Sequence, residues 1–159
     1  MSQIYIRPAT STDALILSSL CMDVQRLHAE HHPDVFKMPQ QEDFAASFFD
    51  QMLADPTMFT YLAEENGQSL GYVFCKLVER PENPFTLANR FLHIDQISVR
   101  PAAQRDGVGS ALIAQVESLA KELGITKIQL DSWDFNTQAH AFFERLGFQK
   151  FNYRFWRDV

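Results

Sequence analysis

Cysteine is scarce in this chain. Only Cys21 and Cys75 occur, without metal-ligand or redox spacing, which excludes a disulfide scaffold and fits a reducing compartment. No apolar run approaches the ~20 residues needed to cross a bilayer, so no membrane association is expected. The start Met1-Ser2-Gln3-Ile4 lacks a charged segment followed by an apolar core, so no leader is read and the cytoplasm is the default location. No Lys/Arg block stands out, and 14 basic against 20 acidic residues give a formal charge of −6, so an electrostatic footprint for nucleic acid is missing. Repeats, linkers and low-complexity tracts are absent too. At 159 residues and 46% hydrophobic content, the chain reads as a single domain over 1–159 with a real core.

The most informative stretch runs from Phe91 to Glu122. Leu92, Ile94, Ile97 and Val99 have strand character, and Pro101 punctuates the strand's end. A short loop follows, Gln104-Arg105-Asp106-Gly107-Val108-Gly109. Beyond it, Leu112, Ile113, Val116, Leu119, Ala120 and Leu123 recur at three- and four-residue spacing, which predicts an amphipathic helix. A helix start then lies at the tip of a strand, with free N–H groups and a positive dipole end suited to phosphate. A Walker loop or a three-glycine dinucleotide fingerprint does not fit these residues.

Read in order, the chain opens with a short strand at Ile4 to Arg7 and a helix from Asp13, with Leu15, Ile16, Leu20, Val24 and Leu27 at helical spacing and Pro33 as its stop. A second helix is expected from near Gln41, burying Phe44, Phe48, Phe49, Met52 and Leu53 before Asp55-Pro56. Met58 to Ala63 and Leu70 to Val78 form a hairpin around Asn66-Gly67, and Glu79 to Asn89 is a loop. After the central helix come a strand over Lys127 to Trp133, a helix capped by Asn136 and ended at Gly147, and a last aromatic strand over Phe148 to Trp156.

Gln104 to Gly109 resembles the R/Q-x-x-G-x-G/A pyrophosphate loop of the GCN5-related N-acetyltransferases (the GNAT superfamily). Val99-Arg100-Pro101 before the loop, Ser110-Ala111-Leu112 after it and Ala139 to Phe148 downstream are also similar to that family. So is the element order β-α-α-β-β-β-α-β-α-β, which covers essentially the whole chain. The resemblance implies an α/β fold, a mixed twisted sheet with helices on both faces. It also implies an N-acetyltransferase that moves the acetyl group of acetyl-CoA to a primary amine of a small molecule or peptide, by direct attack in a ternary complex. No metal is required.

The resemblance implies roles residue by residue. Backbone amides of Arg105, Asp106, Gly107, Val108, Gly109 and Ser110, with Gln104 leading in, would take the diphosphate; a Cβ at Gly107 or Gly109 would crowd it. Ile97, Ser98 and Val99 would offer backbone to the pantetheine as an added strand, while Ile97 and Val99 read equally as core side chains. Asn136 would lie near the cofactor, and its ordinary role as an N-cap is compatible with that. At Phe143 many members carry a tyrosine that protonates the leaving thiolate. Phe143 cannot do so, although a thiol of pKa near ~8.5 leaves tolerably unaided. Tyr153 is a substitute donor on the expected last strand.

Asp95 lies where several members carry a base. Two readings stand level: a base whose pKa burial raises, or a structural or substrate-binding carboxylate acting through water. His93 is the weaker alternative. His28, His31 and His32 lack a metal partner motif and read as a helix end, or as part of the acceptor pocket. Homodimerisation rests on the resemblance and on the aromatic tail. A non-catalytic acyl-CoA-binding or regulatory module is the first rival function, favoured by Phe143; a nucleotide-binding protein using the same loop is the second.

Overall fold

A computed structural model describes residues 3–159; Met1 and Ser2, at the head of the leader reading, lie outside the described residues. Strand β1 (Tyr5–Pro8) leads to helices α1 (Ala14–His31) and α2 (Ala46–Ala54). Strands β2 (Met58–Glu65), β3 (Gln68–Arg80) and β4 (Asn89–Val99) follow, then a 3-10 turn (Pro101–Ala103), α3 (Val108–Glu122), β5 (Ile128–Leu130) and α4 (Thr137–Arg145). The five strands lie side by side in sequence order, antiparallel from β1 to β4 and parallel between β4 and β5. The hairpin is tight as expected. Glu65 pairs with Gln68, and Asn66 and Gly67 both take positive φ, the primed-turn geometry that matches strand twist.

Strand alternation builds two cores. Leu62, Tyr72 and Phe74 face α1 and α2, where Leu17, Leu20, Cys21, Phe49 and Met52 meet them. Ala63, Val73, Cys75, Leu92 and Ile94 face the opposite way, onto Leu112, Ile113, Val116 and Leu119 of α3 and Phe143 of α4. Helices therefore cover both faces of a mixed sheet, the α/β architecture expected from the sequence. Burial of each large aliphatic side chain contributes about 1.5–3 kcal/mol, and both cores hold several that are fully enclosed. Arg7 ties the start of α1 to the sheet, donating to Asp13 at 2.8 and 3.0 Å and to Glu64 at 2.8 Å.

Four elements differ from expectation. Leu20 is buried as expected, but Leu15, Ile16 and Leu27 of α1 are exposed, because Leu17, Ser18 and Cys21 complete its buried face. Ser18 is tolerated there because its hydroxyl accepts the Ala45 N–H at 3.0 Å. The second helix starts at Ala46 rather than near Gln41, so Phe44 and Phe48 stay largely exposed while Phe49 enters the core. Strand β5 is only three residues long, stopping well before Trp133. The tail 148–159 forms no strand: Gly147 (φ +90°) and Phe148 close α4 with hydrogen bonds to Glu144 and Phe143, and the residues after Phe148 are exposed. A three-residue edge offers such a tail little to pair with.

Candidate active site

The spacing of Leu92, Ile94, Ile97 and Val99 hides an irregularity. All four point to the α3 side, yet Ile94 and Ile97 are three apart, which a regular strand cannot do. The register explains it: Cys75 pairs with Ile94 and Phe74 with Gln96, leaving Asp95 as an extra, unpaired residue. This β-bulge puts Gln96 and Ser98 on the α1 side, where Ser98 Oγ donates to Leu20 O at 3.1 Å.

The same point marks a fork. β4 pairs with β5 only at Leu92, His93 and Ile94. From Gln96 to Val99, β3 takes one edge of β4, and among the described residues no strand takes the other. An extended ligand could add to that edge as a strand does. Just beyond it, Arg100 pins the chain to β3 through its N–H to Leu70 O (2.8 Å) and its Nε to Ser69 O (2.9 Å), and Gln104 Nε2 donates to Val99 O at 3.2 Å.

Arg105 takes φ +72° and Gly107 φ +85°, and Gly107 serves as the N-cap of α3 with no side chain capping the helix. The first N–H groups of α3 therefore have no capping acceptor, a ready anion site beside the free edge of β4. The two glycines answer to different constraints. Gly107 has open space where a Cβ would point but needs its left-handed backbone, whereas a Cβ on Gly109 would sit 2.9 Å from the Phe142 ring. Close packing against α4 thus explains Gly109 without any ligand. Arg105 and Asp106 are exposed, and Val108 is buried in the α3 core.

Asp95 is partly exposed, and burial raises its carboxyl above the ordinary value, with His93 and Lys76 pulling it down and Asp131 pushing it up. His93 Nε2 lies 3.7 Å from Asp95 Oδ1 and 3.5 Å from Asp131 Oδ2. Asn136 Oδ1 accepts the Ala139 N–H at 3.3 Å, so its capping role is real. Phe143 is buried between Phe142 and Phe148, in the α3-side core. Tyr153 is exposed on the unpaired tail, outside any strand, which removes the basis for it as a substitute acid.

The histidines at the end of α1 are not a bare solvated terminus. His31 stacks on Phe135 at 4.0 Å between centroids, His28 meets Phe36 and Phe135, and His32 meets Trp133 and Trp156. Nδ1 of His28 and of His31 lies 2.6 and 2.9 Å from the carbonyls of Val24 and Leu27, one turn back. This aromatic wall joins α1 to the segment after β5, on the fork's far side from β3. Sequence reading missed Asp131 and Trp133, which fall in the expected strand over Lys127 to Trp133, Phe135 just beyond it, and the bulge, for which the three-residue gap is the available signal. A surface cavity of about 630 Å³ lies elsewhere, lined by Glu79, Arg80, Asn89 and Arg90 where β4 begins. It is roughly 30 Å along the strand from the loop, and Glu79 and Arg90 already face each other across it at 3.6 Å.

Comparison with known proteins agrees with this geometry. Residues 22–148 match the Acetyltransferase (GNAT) family. The chain is 39% identical over 61 residues to a blasticidin-S acetyltransferase of Streptomyces morookaense, covering 38% of this chain and 43% of that one. The chain spans less than half the length of the first curated relatives it matches. Its fold is similar to that of a tetramutant of the BH1408 protein from Bacillus halodurans, with a TM-score of 0.91 and 22% identity over 98% of this chain and 99% of that one. An aminoglycoside N-acetyltransferase solved with CoA superimposes at a TM-score of 0.75, 19% identical over 99% of this chain and 96% of its own. The forked sheet, the uncapped start of α3 and the family match together identify the chain as a member of the GNAT family.

Proposed function

We propose that this protein transfers the acetyl group of acetyl-CoA to a primary amine of a small molecule or peptide, as a single domain over 1–159 working in the cytoplasm without a metal. The observation that carries the reading is the free edge of β4 ending beside an uncapped helix start. One part suits an extended pantetheine and the other its diphosphate. The blasticidin-S relative and the aminoglycoside enzyme are both named for acting on small molecules, which favours a small acceptor.

In this reading Gly107 to Ser110 hold the diphosphate through N–H groups, Arg105 adds a mobile charge, and Ile97 to Val99 line the pantetheine. Asp95, with its raised pKa, takes a proton from the acceptor ammonium, and the neutral amine attacks the thioester carbonyl. The C–N bond forms, the C–S bond breaks, and the amine's second proton ends on the CoA sulfur. Positioning supplies most of the acceleration. Phe143 offers no hydroxyl, so the thiolate leaves unassisted by that residue. A homodimer rests on the resemblance alone, because the tail meant to support it is not a strand.

A thermal-shift series with acetyl-CoA, coupled to thiol detection across a panel of amines, tests the reading. Stabilisation of about 2.7 kcal/mol is expected at a hundred times the dissociation constant, with free CoA released by at least one amine. Binding without release from any amine would favour the non-catalytic acyl-CoA-binding module, and absence of binding would remove the cofactor itself.

A further inference from the structure

Gln96 is held in an unusual way for a residue at an open fork. Its Oε1 accepts the Tyr72 hydroxyl at 2.7 Å and faces the Cys21 thiol at 3.6 Å. Tyr72 is fully enclosed in the core. Burial raises Tyr72 well above its ordinary pKa and raises Cys21 as well, so both stay protonated and act as donors. The Gln96 atom on which two donors converge must be the carbonyl oxygen, and the enclosed Tyr72 hydroxyl hydrogen has its acceptor there. With Oε1 turned inward, Nε2 turns away, and among the described residues nothing accepts its two hydrogens.

The direction matters. Gln96 follows the Asp95 bulge and lies on the α1 side of β4, opposite the side on which α3 packs. In the acetyltransferase reading, a thioester laid along the free edge of β4 from the α3 helix start leaves the α1 side of the fork to the incoming amine.

We propose that Gln96 is a specificity-determining residue whose outward amide donates to an oxygen of the acceptor, so that the substrate is an amine carrying a hydroxyl, carbonyl or carboxylate near the reacting nitrogen. Tyr72 is a positioning residue that acts through Gln96. This rests on the acetyltransferase reading above, whose failure would show differently.

The test compares kcat/KM for short amino alcohols and amino acid amides with that for alkylamines of matched length, in wild type, Gln96→Glu and Tyr72→Phe. Glu keeps an oxygen for Tyr72 and Cys21 but has no N–H to offer, and its added charge acts on both amine classes alike. Wild type should favour the oxygen-bearing amines by ~10-fold. Gln96→Glu should erase that preference, mainly through KM, and Tyr72→Phe should weaken it, with acetyl-CoA affinity unchanged in both. Equal wild-type rates for the two classes, or a preference that survives Gln96→Glu, would overturn the inference while leaving the acetyltransferase reading intact. Transfer by wild type to neither class while another amine of the wider panel reacts would overturn this inference alone, and release of CoA with none of the amines would sink the acetyltransferase reading and this inference with it.

Discussion

The α3 side and the α1 side of the sheet are both closed by apolar cores, but at the fork they offer opposite kinds of chemistry. On the α3 side the presented groups are backbone: the free edge of β4 and the uncapped N–H groups that follow Gly107. On the α1 side they are side chains, namely Gln96, the Asp95 and Asp131 carboxylates around His93, and the aromatic wall of Trp133 and Phe135. Backbone recognition suits a cosubstrate shared by many proteins, since it depends on fold more than on residue identity. Side-chain recognition suits a particular acceptor, since each group can change without disturbing the sheet.

The sharpest way to break this comparison is Asp95→Asn. Under the proposed base role, the substitution should lower kcat by ~10²–10⁴ while acetyl-CoA affinity stays constant, because the carboxylate is assigned to the α1-side chemistry. In wild type the rate should fall as pH drops through a value above the ordinary carboxylate range, since burial raises Asp95. The Asn variant should lack that limb in its pH–rate profile. A parallel loss of acetyl-CoA affinity would mean that the two sides are not separable.

Core substitutions should show the two sides equal in stability. Leu112→Ala under α3 and Leu17→Ala under α1 each delete a fully buried side chain, and each should cost about 2–5 kcal/mol in urea unfolding. Of smaller size is Gly109→Ala, where the new Cβ meets Phe142; overpacking should cost about 1–3 kcal/mol. Pairing it with Phe142→Leu sharpens the assignment. Recovery of both stability and acetyl-CoA binding would make Gly109 a packing glycine, whereas stability without binding would give it a phosphate role as well.

The smallest effect concerns the link between α1 and the sheet. Arg7 holds the Asp13 carboxyl below its ordinary range, so the stabilisation is complete above that range and fades as pH falls through the lowered value. Asp13→Asn should cost about 1–2 kcal/mol near neutrality, and its deficit against wild type should shrink in acid. A deficit independent of pH would show that packing, not charge, secures the joint.

The sequence made the α3 side legible for the same reason that its chemistry is backbone. Loop spacing, the periodicity of Leu112 to Leu119 and the cap at Asn136 are local features, and all three sit where expected. The α1 side was less legible because its features are non-local. Whether Leu15 or Leu17 faces inward depends on what α1 packs against, and both satisfy helical spacing. The aromatic tail has strand propensity throughout, but pairing requires a neighbour, and β5 supplies only three residues. Tyr72 and Cys21 meet Gln96 from a strand and a helix remote in sequence, which no spacing rule reports.

Amide chemical shifts during a titration with acetyl-CoA test the central claim most directly. Saturable shifts should concentrate at Gly107 to Ser110 and at Ile97 to Val99, with a smaller response across α1. Saturable binding that leaves those amides unmoved, or that shifts the cavity around Arg80 and Arg90 instead, would contradict the account.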